Sequence, residues 1–211
     1  NGPTSGDKPQ GKTERAEFED LPRSIRERLP SRDPQALTLF YETYFDRLYG
    51  YVRRMVGEEH LAEDLTQEVF LHLHRNLDGY DPARALRPWV FTIATNKVRD
   101  YWRSRAHQSS LREIDIEEED HGARATSGEQ GPEQELQAAD LSDQIAEAVE
   151  KLPESMRSTL VLRYYEGLSF QAIGEIVDRN EAAVRKRYSR ALEELRKLLA
   201  GRGLSPMGGE A

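Results

Sequence analysis

The chain contains no cysteine among its 211 residues, so disulfides and thiolate metal sites are both unavailable to it. That absence fits a reducing cytoplasm. No apolar run approaches the ~18 residues a membrane helix needs, and no signal-like hydrophobic segment opens the sequence. The expectation is a soluble, cytoplasmic protein. A Gly-rich phosphate loop and a nucleophile motif are missing as well. Histidine is sparse and scattered, at His60, His72, His74, His107 and His121. His72 and His74 lie two apart on a helical pattern and so point to different sides, a poor metal pair. Glu68 and His72 share a face, but no third ligand is evident. The expectations are therefore no enzyme, no metal and no cofactor.

Charge is abundant, and its placement matters more than its sum. The formal net charge of −8 argues at first against a nucleic-acid partner. Residues 113–135, however, hold nine acids (Glu113, Asp115, Glu117, Glu118, Glu119, Asp120, Glu129, Glu133, Glu135) against Arg124 alone. The remaining sequence is close to neutral, with basic faces at Asn96–Arg105 and Arg185–Lys197. A hydrophobic content of 37% beside 32% charged residues describes a helical protein with polar extensions, long enough for two small cores.

Helical periodicity runs through two blocks. Residues 1–32 form an extension, polar and breaker-rich to about residue 17, where Phe18, Leu21, Ile25 and Leu29 then have the spacing of a short docking helix. Asp33 is placed to cap the first strong helix, with Pro34 at its first position. Leu37, Phe40, Tyr41, Tyr44, Leu48, Tyr51, Val52 and Met55 form its core stripe, and Gly57 ends it. Leu61, Leu65, Val69 and Leu73 follow every fourth residue, widened by Phe70 and Leu77. Glu63, Asp64, Gln67, Glu68 and Arg75 fall on the opposite arc, with Leu71 beside the i,i+4 pair Asp64 and Glu68. An acidic pair flanking an exposed apolar residue suits a basic partner surface, although a plain solvated face has the same pattern.

The next helix carries a different row. Past the turn at Gly79 and Asp81-Pro82, Pro88 can occupy a first helical position. Val90, Ile93, Ala94, Val98 and Tyr101 make the buried stripe, while Thr92, Asn96, Arg99 and Arg103 line the other side. That row offers a hydroxyl, an amide and two guanidiniums, with Trp89, Tyr101 and Trp102 as stacking surfaces. Asn reads base edges, Arg holds phosphates or guanines, and aromatic rings stack unpaired bases.

In order, spacing and residue type, Ala62-Glu63-Asp64-Leu65-Thr66-Gln67-Glu68-Val69-Phe70 and Leu86-Arg87-Pro88-Trp89-Val90-Phe91-Thr92-Ile93-Ala94-Thr95-Asn96 resemble region 2 of bacterial RNA polymerase sigma factors. The similarity is to the small extracytoplasmic-function (ECF) class and covers roughly residues 34–105. It implies that Glu63, Asp64, Gln67, Glu68 and Leu71 bind the clamp helices of the polymerase β′ subunit. It also implies that Arg84, Arg87, Trp89, Thr92, Asn96, Arg99 and Arg103, with the loop over 80–87, capture and melt the −10 element.

The second block resumes at Glu133. Leu136, Leu141, Ile145, Ala148, Val149 and Leu152 are its first apolar positions, and Pro153 ends that helix. Met156, Leu160, Val161 and Tyr164 continue to Gly167. A helix-turn-helix pattern follows, with Ser169 as N-cap, Ile173, Ile176 and Val177 facing inward, and Gly174 where two helices cross. Asp178-Arg179-Asn180 makes the turn. Asn180 caps a second helix whose inner face is Val184, Tyr188, Ala191, Leu192, Leu195 and Leu198. Ala182, Arg185, Lys186, Ser189 and Arg190 project outward, as entry into a major groove requires. Residues 134–200 resemble sigma region 4, which implies −35 recognition by these residues and Arg187, and contact with the β flap. Asp178 stands where the family usually has glycine, and Arg179 where an aliphatic residue is usual.

The expected architecture is all-α. An extension over 1–32 precedes a region 2-like helical bundle over 33–106. An acidic linker over 107–132, flexible by composition, leads to a region 4-like helix-turn-helix domain over 133–200 and a tail over 201–211. The linker is either a plain tether or, as in the resembled family, a nucleic-acid mimic that enters a basic polymerase channel. The implied function is that of an ECF sigma factor, binding core RNA polymerase and promoter DNA and answering to an anti-sigma factor. The competing readings are a helix-turn-helix regulator that binds an operator, and an adaptor that binds protein through the Asp64/Glu68 face.

Overall fold

The structure is a computed structural model that describes residues 20–112 and 143–201, with side chains described to residue 105 in the first stretch. All regular structure in these stretches is helical. In chain order it comprises α1 (Arg23–Arg26), α2 (Pro34–Val56), α3 (Glu59–Arg75), a 3₁₀ turn (Leu77–Gly79), α4 (Leu86–Arg112), α5 (helical over 143–150), α6 (Glu154–Tyr164), α7 (Phe170–Val177) and α8 (Glu181–Ala200).

Local chemistry sets the helix ends. The Asp33 carboxylate accepts from the Ala36 N–H at 2.9 Å, with Pro34 at the first position, so α2 starts where the sequence predicts. Gly57 closes α2 in the left-handed conformation at φ 79°, which costs a glycine little. Ser169 and Asn180 cap α7 and α8 through the N–H groups of Ala172 and Ala183. Two ends differ from expectation. Helix α4 begins at Leu86, so Pro88 is its third residue; the amide a proline lacks there is still one of the four without an intrahelical acceptor. Helix α4 also runs on to Arg112, past His107 where the apolar pattern stops. No proline or glycine interrupts residues 107–112, so nothing in the backbone ends the helix when its apolar stripe does. The acidic stretch, with Leu136 and Leu141, lies outside the described residues, as does Phe18.

Helices α2, α3 and α4 form one bundle. Phe40, Tyr44, Leu48, Tyr51, Val52 and Met55 of α2 meet Leu65, Val69 and Leu73 of α3 and Val90, Phe91, Ala94 and Val98 of α4, all buried. Tyr51 stands edge-on to Phe91 and exchanges a hydrogen bond with the buried Thr95 hydroxyl at 2.8 Å. Tyr41, expected in the stripe, is instead about half exposed: at one position past Phe40 it turns outward, onto Phe45 and Phe70. The extension docks by burying Leu21 and Leu29. Helices α6, α7 and α8 form the second unit around Leu160, Val161, Ile173, Ile176, Val177, Val184 and Ala191. The two units are packed together, α7 against α4 and α6 against α2.

Candidate functional site

Three surfaces follow from these helices. The first is the outer face of α3. Burying Ala62, Leu65, Thr66, Val69 and Leu73 leaves Glu63, Asp64, Gln67 and Glu68 exposed, and Leu71 is 55% exposed among them. Lys97 of α4 reaches Glu68 at 3.3 Å, an exposed pair that tethers one acid lightly. Arg75 is exposed at the end of the same face. Beside it, Leu37, Phe40, Tyr41, Phe45, Phe70 and Leu71 line an apolar groove of about 660 Å³ between α2 and α3. Sequence periodicity marked Phe70 and Leu37 as core; the groove exists because both are only partly buried.

The second surface is α4 with the loop before it. Arg84 is exposed, its side chain close to Asp81, and its backbone carbonyl accepts from both Arg26 at 2.7 Å and the Tyr80 hydroxyl at 2.9 Å. The loop is thus pinned from two directions. Trp89 is half-buried, packed on Tyr80 with ring centroids 5.1 Å apart. Thr92 is part-buried and its hydroxyl donates to Pro88 within its own helix at 2.7 Å. Asn96 and Arg103 are exposed, Arg103 beside Asp100 at 3.3 Å. Tyr101 and Trp102 are half-buried and lie edge to face.

Arg87 and Arg99, from the same set, point elsewhere. The Arg87 guanidinium donates to the Glu166 carbonyl, and Arg99 lies 3.8 Å from the Glu154 carboxylate. Burial lowers the Arg87 pKa from its ordinary value, opposed by Glu166 nearby. Four residues at this junction carried no signal in the sequence. Asp20 accepts from the Arg87 backbone N–H at 3.4 Å and from the Tyr44 hydroxyl, fixing the start of α4. Glu166, 5% exposed, accepts from Arg47 at 2.9 Å. Burial raises the Glu166 carboxyl above the usual range, with Arg47 and Arg87 pulling the other way. Glu154 completes the set. Their partners lie far along the chain, and only a repeated pattern would have exposed them.

The third surface is the helix-turn-helix. Asp178 takes the left-handed conformation at φ 53°, ψ 58°, so the aspartate performs the turn that glycine usually makes. Gly174 is buried with the Arg179 carbonyl directly above it. On α8, Ala182, Arg185, Lys186, Ser189 and Arg190 are all exposed. Arg185 pairs with Glu181 and lies over the Phe170 ring at 4.7 Å. Arg187 departs from this row: it is half-buried, and burial together with the charges of Arg179 and Arg99 lowers its pKa. Among the described residues, no group of three His or acidic side chains gathers into a metal site, and no helix is long and apolar enough to cross a membrane.

An acidic α3 face and a basic helix-turn-helix, with the described regular structure all helical, define a two-module protein with a DNA-binding motif. The family described as Sigma-70 region 2 matches residues 40–108, and Sigma-70, region 4 matches residues 142–195. The ECF RNA polymerase sigma factor SigW of Bacillus subtilis (strain 168) is 32% identical over 180 residues, spanning 79% of this chain and 90% of that protein. The RNA polymerase sigma factor CarQ of Myxococcus xanthus is 33% identical, spanning 72% and 83%. The fold is shared with CnrH, solved with the cytosolic domain of CnrY, at TM-score 0.62 and 23% identity over 85% of this chain and 97% of that one. The chain belongs to the ECF sigma factors, transcription initiation factors that bind core RNA polymerase and direct it to promoters. The operator-binding regulator is not favoured, because the region 2 match accounts for most of the first module.

Proposed function

We propose that the three surfaces divide the work of promoter recognition. The outer face of α3, through Glu63, Asp64, Gln67, Glu68 and Leu71, docks on the β′ clamp helices. Asn96, Arg103, Thr92 and Trp89, with Arg84, Arg87 and Arg99, capture the opened −10 strand, and no covalent chemistry is contributed by this chain. Ala182, Arg185, Lys186, Ser189 and Arg190 read the −35 duplex, with Arg187 at the edge of that surface. An anti-sigma factor controls access to these surfaces; the RpoE of Bartonella quintana, which shares this fold at 21% identity, was solved with the anti-sigma factor NepR. The functional modules span 33–106 and 133–200, with the acidic segment between them.

The observation that carries this reading is the separation of signs. One chain presents an exposed acidic helix face with a leucine at its centre, and an exposed basic helix behind an Asn180-capped turn. Run-off transcription with core enzyme on a promoter library tests it. Promoter-specific transcripts that depend on this chain are expected; their absence would overturn the assignment.

A further inference from the structure

We propose that the second module is latched over the first in the free protein, and that Glu166 is the latch, held by Arg47 and engaging Arg87 of α4. The contact is chemically specific. On the first module stand Arg47, Arg53, Arg54, Arg87 and Arg99; on the second stand the carboxylates of Glu150, Glu154 and Glu166 and the Glu166 backbone carbonyl. Arg47 meets the Glu166 carboxylate at 2.9 Å, Arg53 meets Glu150 at 3.5 Å, and Arg99 meets Glu154 at 3.8 Å. Arg87 donates to the Glu166 carbonyl, and Arg54 lies 4.0 Å over the Tyr165 ring. In the other direction, Arg157 of α6 donates to the Met55 carbonyl at 2.6 Å, at the end of α2.

Two features separate this from ordinary surface pairing. Glu166 is 5% exposed and its partner Arg47 only 28% exposed, so water competes weakly for the pair. Removing Arg47 strips this buried carboxylate of its ion-pair partner, which disfavours the closed form strongly. The arginines used are also informative. Arg87 and Arg99 belong to the set assigned to the −10 strand, and here the Glu166 carbonyl and the Glu154 carboxylate engage them instead. Helix α7 packs along α4 at the same time. Closure and DNA capture therefore compete for the same side chains, and the free chain is held in a form that cannot use them. The consequence for DNA rests on the assignment of α4 to the −10 strand; the latch itself does not.

The absence of cysteine makes the test direct. Nitroxides introduced through His60→Cys on α3 and Glu193→Cys on α8, both well exposed, report the distance between modules in the full-length chain. The wild-type background should give one narrow distance. Glu166→Ala and Arg47→Ala should each give a longer, broader distribution, and melts followed by circular dichroism establish that each is folded. The two substitutions sit on different modules, so one serves if the other does not fold. Both should also bind a short fluorescent single-stranded DNA of random sequence roughly tenfold more tightly, as expected when a competent state rises from a small fraction to a large one. The Arg47→Ala result discriminates, because loss of a cation from an always-open protein would weaken DNA binding. A broad wild-type distribution, unchanged distances in both variants, or weaker DNA binding by Arg47→Ala would each overturn the latch. Failure of the chain to support promoter-specific run-off with core enzyme would refute the sigma assignments of α4 while leaving the distance result intact.

Discussion

A methyl group at Gly174 would stand 2.5 Å from the carbonyl oxygen of Arg179. The turn of the helix-turn-helix passes that close over α7, so backbone, not a flexible side chain, fills the space. Gly174→Ala should therefore cost about 1–3 kcal/mol, the range for overpacking a rigid contact. Urea unfolding checks this. A wild-type midpoint would mean that α7 and α8 cross more loosely than this geometry requires.

The neighbouring turn residue behaves differently. Asp178 sits at φ 53°, where an aspartate is tolerated and a β-branched residue is not. Asp178→Gly should leave the melting temperature near wild type, since relief of backbone strain offsets added freedom of the unfolded chain. Asp178→Val should destabilise by about 1–2 kcal/mol. Equal melting temperatures for the two variants would contradict the left-handed assignment.

On α8, Arg185 and Arg190 are exposed on the face opposite Val184 and Ala191. If these arginines read bases as proposed, replacing either with alanine should cost on the order of 1–3 kcal/mol in −35 affinity and relax preference at one position. Binding to a randomised −35 duplex library measures it. If both variants keep wild-type preference, α8 is not the reading helix.

Asp33 and Asp78 supply a pH test of the first module. Backbone and Arg28 hydrogen bonds hold Asp33 below the usual aspartate value of 3.8, and its Arg32 partner does the same for Asp78. A depressed folded-state value means stability is present above the unfolded value and is lost as pH falls through the folded one. Asp78→Asn should lower the melting temperature at neutral pH, and the gap to wild type should close as pH falls below about 3.8. A constant gap would show that the charge is irrelevant there.

Much of the architecture could be read from spacing alone, because the longer helices bury one face and α2, α7 and α8 are capped by side chains. Asp33, Gly57, Ser169 and Asn180 are local signals whose partners lie within four residues, so they are visible in one dimension. The acidic α3 face and the outward row of α8 were visible for the same reason: burying one side of a helix exposes the other. The fate of α4 was not. Periodicity gives the angle of Arg87 and Arg99 around the helix, yet their partners Glu166 and Glu154 are brought in by tertiary packing across dozens of residues. Arg187 illustrates the same limit, since its half-burial and the nearby charge of Arg99 both come from tertiary packing. Tyr41 departs from its spacing at closer range, because a position between two faces becomes core only if a neighbouring helix covers it.

The claim that α3 is the polymerase dock is tested most directly by reversing its charge. Asp64 and Glu68 are exposed, and the one ion pair found there, Glu68 with Lys97, is a surface pair of small worth, so Asp64→Arg with Glu68→Arg should melt like wild type. At a partly desolvated interface the loss of such charges should weaken binding roughly 30-fold or more. Leu71→Ala should weaken it less, with little dependence on salt. Binding of the double reversal to core RNA polymerase, followed by fluorescence alongside a thermal melt, is the decisive measurement. A folded variant that no longer captures core enzyme is expected; a folded variant that binds core enzyme like wild type would contradict the assignment.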